Sequence, residues 1–484
     1  MELSVKTKNI IILYLLTALF LYVSLFFMLE KKTLWFFVLP LVLIVFYYYI
    51  VSLDKILLFI TFFTPLAINL NDVNIGTALS VPAEPLMFGV VIVFLGNLLL
   101  ERNYNRQAAR HWLSYLIYFN LLWMLITSVS SQMPLVSFKH LLSRIWFVVP
   151  FYFVAVPMFR KKKNIHRFLW LYMLALSGVI IYTLIRHAAH GFDEDSGHWV
   201  MTPFYNDHTA YGAALAMFLP ILAAYVIFPG LSLKRRFLSL PFLSLYVVAI
   251  VFSYSRAAWL GVSVAAVVLI LVLLRIRFRW VLMTFIVLFG LVFAFRQPLL
   301  DKLEKNRQES SSNLEQHLHS MTNISSDASN LERINRWASA IRLFEQRPWV
   351  GWGPGTYQFV YAPFQLASER TVISTNLGDR GTAHSEYLGP LSEEGILGLF
   401  SVLLLFGYAV YLGLMIYRRA RDGKNREVSL MSLMTTLGLI TYFVHGFLNN
   451  FLSTDKLSVP VWGFMAILVA LDVYHSHERP KVKA

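Results

Sequence analysis

An all-α polytopic membrane protein is the fold class this sequence predicts, with about 12–14 transmembrane helices. Three observations predict it. Hydrophobic residues make up 57% of the 484, above the roughly 45–50% of a soluble chain. Charged residues are 14%, against about 25% in a soluble protein. Apolar runs of about 20 residues, the length that crosses a bilayer as a helix, recur along the chain. The mean hydropathy is +0.60. The net charge of +15 comes from short basic clusters between spans, which reads as a positive-inside bias rather than a nucleic-acid-binding surface. There is no cysteine, so disulfides and cysteine-ligated metal sites are excluded.

The N-terminus, MELSVKTKN followed by a long apolar run, exceeds a signal-peptide core and reads as a retained first span. Further apolar runs lie near 34–52, 54–69, 84–100, 112–130, 141–159, 167–186, 208–228, 237–254, 257–274, 280–296, 386–417, 428–446 and 457–474. The pair at 34–69 also fits a short hairpin or a re-entrant segment. Orientation follows from Lys and Arg. Lys6 and Lys8, Arg102 to Arg110, Arg160 to Lys163, Lys234 to Arg236, Arg275 to Arg279 and Arg418 to Arg426 all fall on one side if the spans alternate. That side is the cytoplasm, with both termini on it; only Lys31 and Lys32 dissent. The opposite side receives residues 71–84, the acidic stretch 190–199 and a long loop. The resulting organisation is eleven spans over 1–296, an extracytoplasmic loop over 297–385, and three spans with a short cytoplasmic tail over 386–484.

The loop has two parts. Residues 301–328 are polar and poorly patterned, as in a linker. A helix is then expected over about 329–347, with Ser329 and Glu332 as a capping box. Leu331, Ile334, Ala338, Ile341 and Phe344 follow at helical spacing, and Pro348 disfavours helix at the residue before it. The Gly/Pro turn WVGWGPGTY comes next. Such a turn lets backbone pass close to another group.

Several residues could carry chemistry. Arg256, in SYSRAAWLG, sits between two closely spaced apolar runs. An arginine there either serves a polar site or snorkels to the interface. Arg333 and Arg336, three apart on the loop helix, could grip a phosphate with their planar forks of donors; the alternative is a solvated face paired with Glu332. His384, in TAHSEYLGPLSEEGILG, falls near an expected helix start. A helix N-terminus disfavours a protonated imidazole and leaves a neutral one able to accept a proton; a structural histidine is the alternative. His208, Tyr387 and Glu394 are supporting candidates, with Glu394 also readable as a helix-packing partner. Arg144 is a further charge within a span. His187, His190 and His198 share a loop without the tight spacing of metal ligands, so no metal site is expected. Nucleotide-binding, serine-hydrolase and zinc-protease signatures are absent.

SYSRAAWLG, then Arg333-x-x-x-Trp337 ahead of RPWVGWGPGTY, then AHSEYLGPLSEEGILGL, resembles the O-antigen ligase/polymerase superfamily over about residues 205–400. The resemblance implies a bacterial inner-membrane glycosyltransferase with a GT-C-like membrane fold and a periplasmic active site. It implies no cofactor and no metal, a glycan donor on undecaprenyl diphosphate, and inversion at the anomeric carbon. By motif, Arg256 and Arg333 fall on the family's arginines and His384 on the histidine of its A-H-N motif. Ser385 replaces the Asn, and Arg336 has no firm equivalent. The implied acceptor is a glycolipid or glycan, with lipid A–core favoured. A polysaccharide polymerase, a protein O-oligosaccharyltransferase and, from another class, a lipid-linked oligosaccharide transporter are the alternatives. The expected convergence is Arg256, Arg333 and His384 around one diphosphate.

Overall fold

Helices form nearly all of the regular structure in the computed structural model, which describes residues 5–31, 35–70, 79–100, 106–227, 233–276, 279, 283, 328–367, 369–370, 374 and 381–475. The chain divides into two units, 1–56 and 57–484. The first holds α1 (Val5–Lys31) and α2 (Trp35–Val51), the latter with Pro40 inside it. Among the described residues, nine helices are long and apolar enough to cross a membrane. They make the protein an all-α, multi-pass membrane protein. Apart from residue 283, the expected span at 280–296 lies outside the described residues, as does the expected linker at 301–328 apart from residue 328.

The expected span at 54–69 is shorter than the apolar run. Helix α3 (Leu53–Phe63) gives way to a 3-10 turn over Thr64–Leu66. Pro65 in that turn cannot donate a backbone hydrogen bond. The carbonyls of Thr64 and Ala67 accept from the Lys456 ammonium, each at 2.6 Å. A two-residue strand, β1 (Ile68–Asn69), then pairs antiparallel with β2 (Ser80–Val81).

The following helices are α4 (Ala83–Leu100), α5 (Trp112–Val129), α6 (Pro134–Val148), α7 (Lys162–Ala188), α8 (His208–Ile227), α9 (Leu233–Val251) and α10 (Arg256–Leu273). Helix α6 is prolonged to Met158 through a π turn that contains Pro150. The loop helix is α11 (Ala328–Gln346); α12 (Leu388–Asp422), α13 (Arg426–His445) and α14 (Asp455–Ala470) complete the chain.

Glycines set how closely α8, α10 and α13 cross. A β-carbon on Gly261 of α10 would stand 2.6 Å from the Thr441 carbonyl oxygen of α13. One on Gly438 of α13 would stand 2.5 Å from the Met217 carbonyl oxygen of α8. From these crossings, Arg256 and His445 are about 7 and about 6 Å along their helices, and His208 is about 13 Å along α8. The three residues therefore occupy the same end of the bundle. The start of α12 joins them there, because Glu386 donates its backbone N–H to the Gly446 carbonyl just past α13, at 2.8 Å.

Candidate active site

Helix α11 has a small core of its own. Ala340 and Leu343 pack with Tyr357, Tyr361 and Ala383, and Trp352, Phe364 and Leu388 close around them. His384 is therefore the neighbour of a residue buried under α11.

The Gly/Trp turn is locked into a break in α12. Gly395 has φ 72°, ψ −166° inside that helix, outside the helical region. A β-carbon there would lie 2.3 Å from the Trp349 carbonyl oxygen. Backbone groups released by the break find partners in the turn. Ile396 N–H donates to the Pro348 carbonyl at 2.9 Å, and Gly353 N–H to that of Glu393 at 2.7 Å. The Glu393 carboxylate accepts the N–H groups of Gly355 and Tyr357, both at 2.9 Å. The loop is thus bolted to the membrane helix that begins just after His384.

Helix α11 begins at Ala328, one residue before Ser329. Glu332 is buried, and its carboxylate accepts from Arg336 Nε at 2.7 Å, with Asn335 and Ser374 also bonded to it. A buried guanidinium competes for that carboxylate more strongly than a helix-terminal N–H in water does. Arg336 is accordingly buried rather than on a solvated face.

Arg336 Nη1 also reaches the Thr382 carbonyl at 3.3 Å and His384 Nε2 at 3.2 Å. Arginine can only donate, so this contact needs the Nε2 lone pair of a neutral imidazole whose proton is on Nδ1. Burial first, then Arg336 and Arg333, push the His384 pKa down to about 4; Asp207 and Glu332 act in the opposite direction. The contact and the burial both favour a neutral imidazole, through a cause other than the helix start expected from the sequence. His384 lies four residues before α12, with φ 45°, beyond the first turn where a helix dipole acts.

Ser385 takes the helix-start role, its hydroxyl accepting from the N–H groups of Tyr387 and Leu388 at 3.3 Å. Glu386 ties this segment to the turn after α13. Its Oε1 accepts from the Tyr442 hydroxyl at 2.6 Å and from the N–H groups of Phe451 and Leu452 at 2.7 and 2.8 Å. No spacing rule singles out Glu386, because its partners lie more than 50 residues away.

Arg333 is within electrostatic reach of both His384 and His445. His208 Nδ1 bonds Asp207 Oδ1 at 3.2 Å, and its ring stacks on His198 with 4.3 Å between centroids. Asp207 caps α8 by accepting from the Thr209 N–H and hydroxyl, each at 2.7 Å. Burial opposes its ionisation, yet the hydrogen bonds from His208 and Thr209 hold it below the usual carboxylate range.

Arg333, Arg336 and His384 are therefore brought together. Arg256 opens α10 behind the capping residue Ser255. It shares the end of the bundle with His208 and His445. Tyr387 is committed to packing: its hydroxyl donates to the Phe443 carbonyl at 2.8 Å and its ring stacks on Phe447. Glu394 belongs to the α12 break. It is buried against Gly398, its carbonyl accepts from Trp123 Nε1 at 2.9 Å, and Arg144 is the cation within electrostatic reach.

A polar helix held by arginines and a histidine against the end of a membrane bundle suits an anionic substrate. Residues 241–403 match the family model described as O-antigen ligase. The match covers about a third of the chain and supports the O-antigen ligase superfamily, whose family model suggests a glycosyltransferase-like enzyme. The matched stretch includes Arg256, Arg333, Arg336 and His384; His208 and His445 fall outside it. No curated protein matches the chain.

Proposed function

We propose that the protein transfers a glycan from undecaprenyl diphosphate to an acceptor hydroxyl, as an O-antigen ligase with a lipid A–core acceptor, at the periplasmic face of the inner membrane. The observation that carries the reading is the Arg336–His384 contact at 3.2 Å with Arg333 alongside. It joins two cations to one neutral base in a small, water-poor space.

The chemistry then follows from charge. The donor diphosphate engages Arg333 and Arg336, with Arg256 a further cation at that end of the bundle. A phosphate oxygen competes with His384 for the Arg336 N–H donors and wins, because a charge-assisted bond to an anion is stronger than one to an imidazole. Nε2 is then free, and the positive charge that lowered its basicity is balanced. His384 removes the proton from the acceptor hydroxyl as that oxygen attacks the anomeric carbon. The bond from that carbon to the diphosphate oxygen breaks, and undecaprenyl diphosphate departs with the electron pair. Arginine stabilises the charge that develops on the leaving group, and a single displacement inverts the centre.

The test is a surface-glycan gel of a deletion strain complemented with wild type or His384→Ala. Loss of all glycan-bearing lipid A–core, with lipid-linked polymer accumulating, is expected for both the deletion and His384→Ala. Retention of single-repeat bands would make the enzyme a polymerase. Full complementation by His384→Ala would remove it as the base.

A further inference from the structure

The turn that ends α13 holds polar groups that the reaction above leaves unused. His445 is completely buried; its ring lies near the Thr209 backbone carbonyl, and neither ring nitrogen makes a well-formed hydrogen bond among the described residues. Four residues on, Asn449 is 2% exposed. It meets the Thr209 hydroxyl at 3.5 Å, and its amide nitrogen has no partner. The Thr209 hydroxyl is already committed to Asp207 at 2.7 Å. A buried polar atom without a partner costs about 1–3 kcal/mol, so three on one turn are expensive unless a ligand completes them. Arg333, Asp207 and His208 are the charged and titratable groups within reach of His445. Asp207, the charge acting most strongly on His445, is occupied by its own helix cap, and Arg333 is the cation within electrostatic reach.

We infer that His445 and Asn449 are binding residues for the diphosphate group that Arg333 grips, donating N–H bonds to its phosphate oxygens once α11 shifts to admit the donor. The inference rests on the proposed polyprenyl-diphosphate reading. It adds residues from a helix that lies outside the matched ligase domain. The chemistry is specific. An imidazole N–H and a carboxamide N–H2 both need an acceptor atom, and an anionic oxygen beside an arginine supplies it. Two such bonds come from the bundle side, while the arginines come from the loop side, so the anion would be held from both.

The test uses the full-length protein in nanodiscs with farnesyl diphosphate as the probe, and calorimetry for binding. His445→Leu and Asn449→Leu should each weaken binding at least 10-fold. His445→Gln, which keeps a donor, should stay within about 3-fold of wild type. In glycan transfer, both Leu variants should raise the donor KM more than they lower kcat. Wild-type affinity in His445→Leu and Asn449→Leu overturns the inference. So does an equal loss in His445→Gln and His445→Leu, because packing rather than hydrogen bonding would then be responsible. Asn449 lies beyond the helix, so its variant tests the idea even if His445→Leu does not fold. A wild type that binds farnesyl diphosphate but transfers no glycan refutes the ligase reading and leaves this site standing.

Discussion

At the residue scale, the arrangement around His384 predicts two different acid limbs. In the free enzyme the imidazole is pushed down to about 4 by burial, Arg336 and Arg333. On the proposed mechanism the base is the neutral form. As pH falls through 6.5 an ordinary histidine would become charged, whereas His384 stays neutral until about 4. The profile of kcat/KM, which reports the free enzyme, should therefore hold level down to about pH 5 and fall near 4. The donor diphosphate offsets the two guanidinium charges, so the limb in kcat, which reports the bound complex, should lie at higher pH. Coincident limbs in the two profiles would mean that the donor does not engage Arg336 and Arg333.

At the element scale, the break in α12 is what holds the loop. Gly395 is left-handed and in backbone contact with Trp349, so a side chain there meets both a strained φ and an occupied space. Gly395→Ala should cost roughly 3 kcal/mol, read as a lowered thermal midpoint in detergent, with transfer activity falling at the same time. A variant with unchanged stability would show that the turn is not seated there. Much of this element was open to sequence reasoning. The helix over 329–347, its end before Pro348 and the backbone-close Gly/Pro turn all follow from local rules, and the described helix ends at Gln346. The bond from Arg336 to Glu332 was not legible there. Glu332 can satisfy an N–H one turn back or a guanidinium one turn on, and only burial decides between them.

At the scale of the whole molecule, α8, α10 and α13 are fastened by contacts that admit nothing larger than glycine at the crossing points. Those crossings set the level at which His208, Arg256 and His445 emerge. Gly438→Val should push α8 and α13 apart at a cost of about 1–3 kcal/mol. It should also lower activity, although it lies about 10 Å along the helix from His445. Activity equal to wild type in a stably inserted Gly438→Val protein would separate the crossing from the site.

The sequence by itself determined the membrane class and most helix positions, and a resemblance in short motifs pointed to Arg256, Arg333 and His384. The first two depend on composition and periodicity and the motifs on short spacing, which are properties of neighbours along the chain. Tertiary structure alone decided that Arg336 touches His384. It decided too that Glu386 staples the segment after His384 to the end of α13, and that His445 and Asn449 are buried there. The physical reason is common to all three. Whether a buried charge or imidazole finds a partner depends on groups dozens to hundreds of residues away, and a helical repeat carries no record of them.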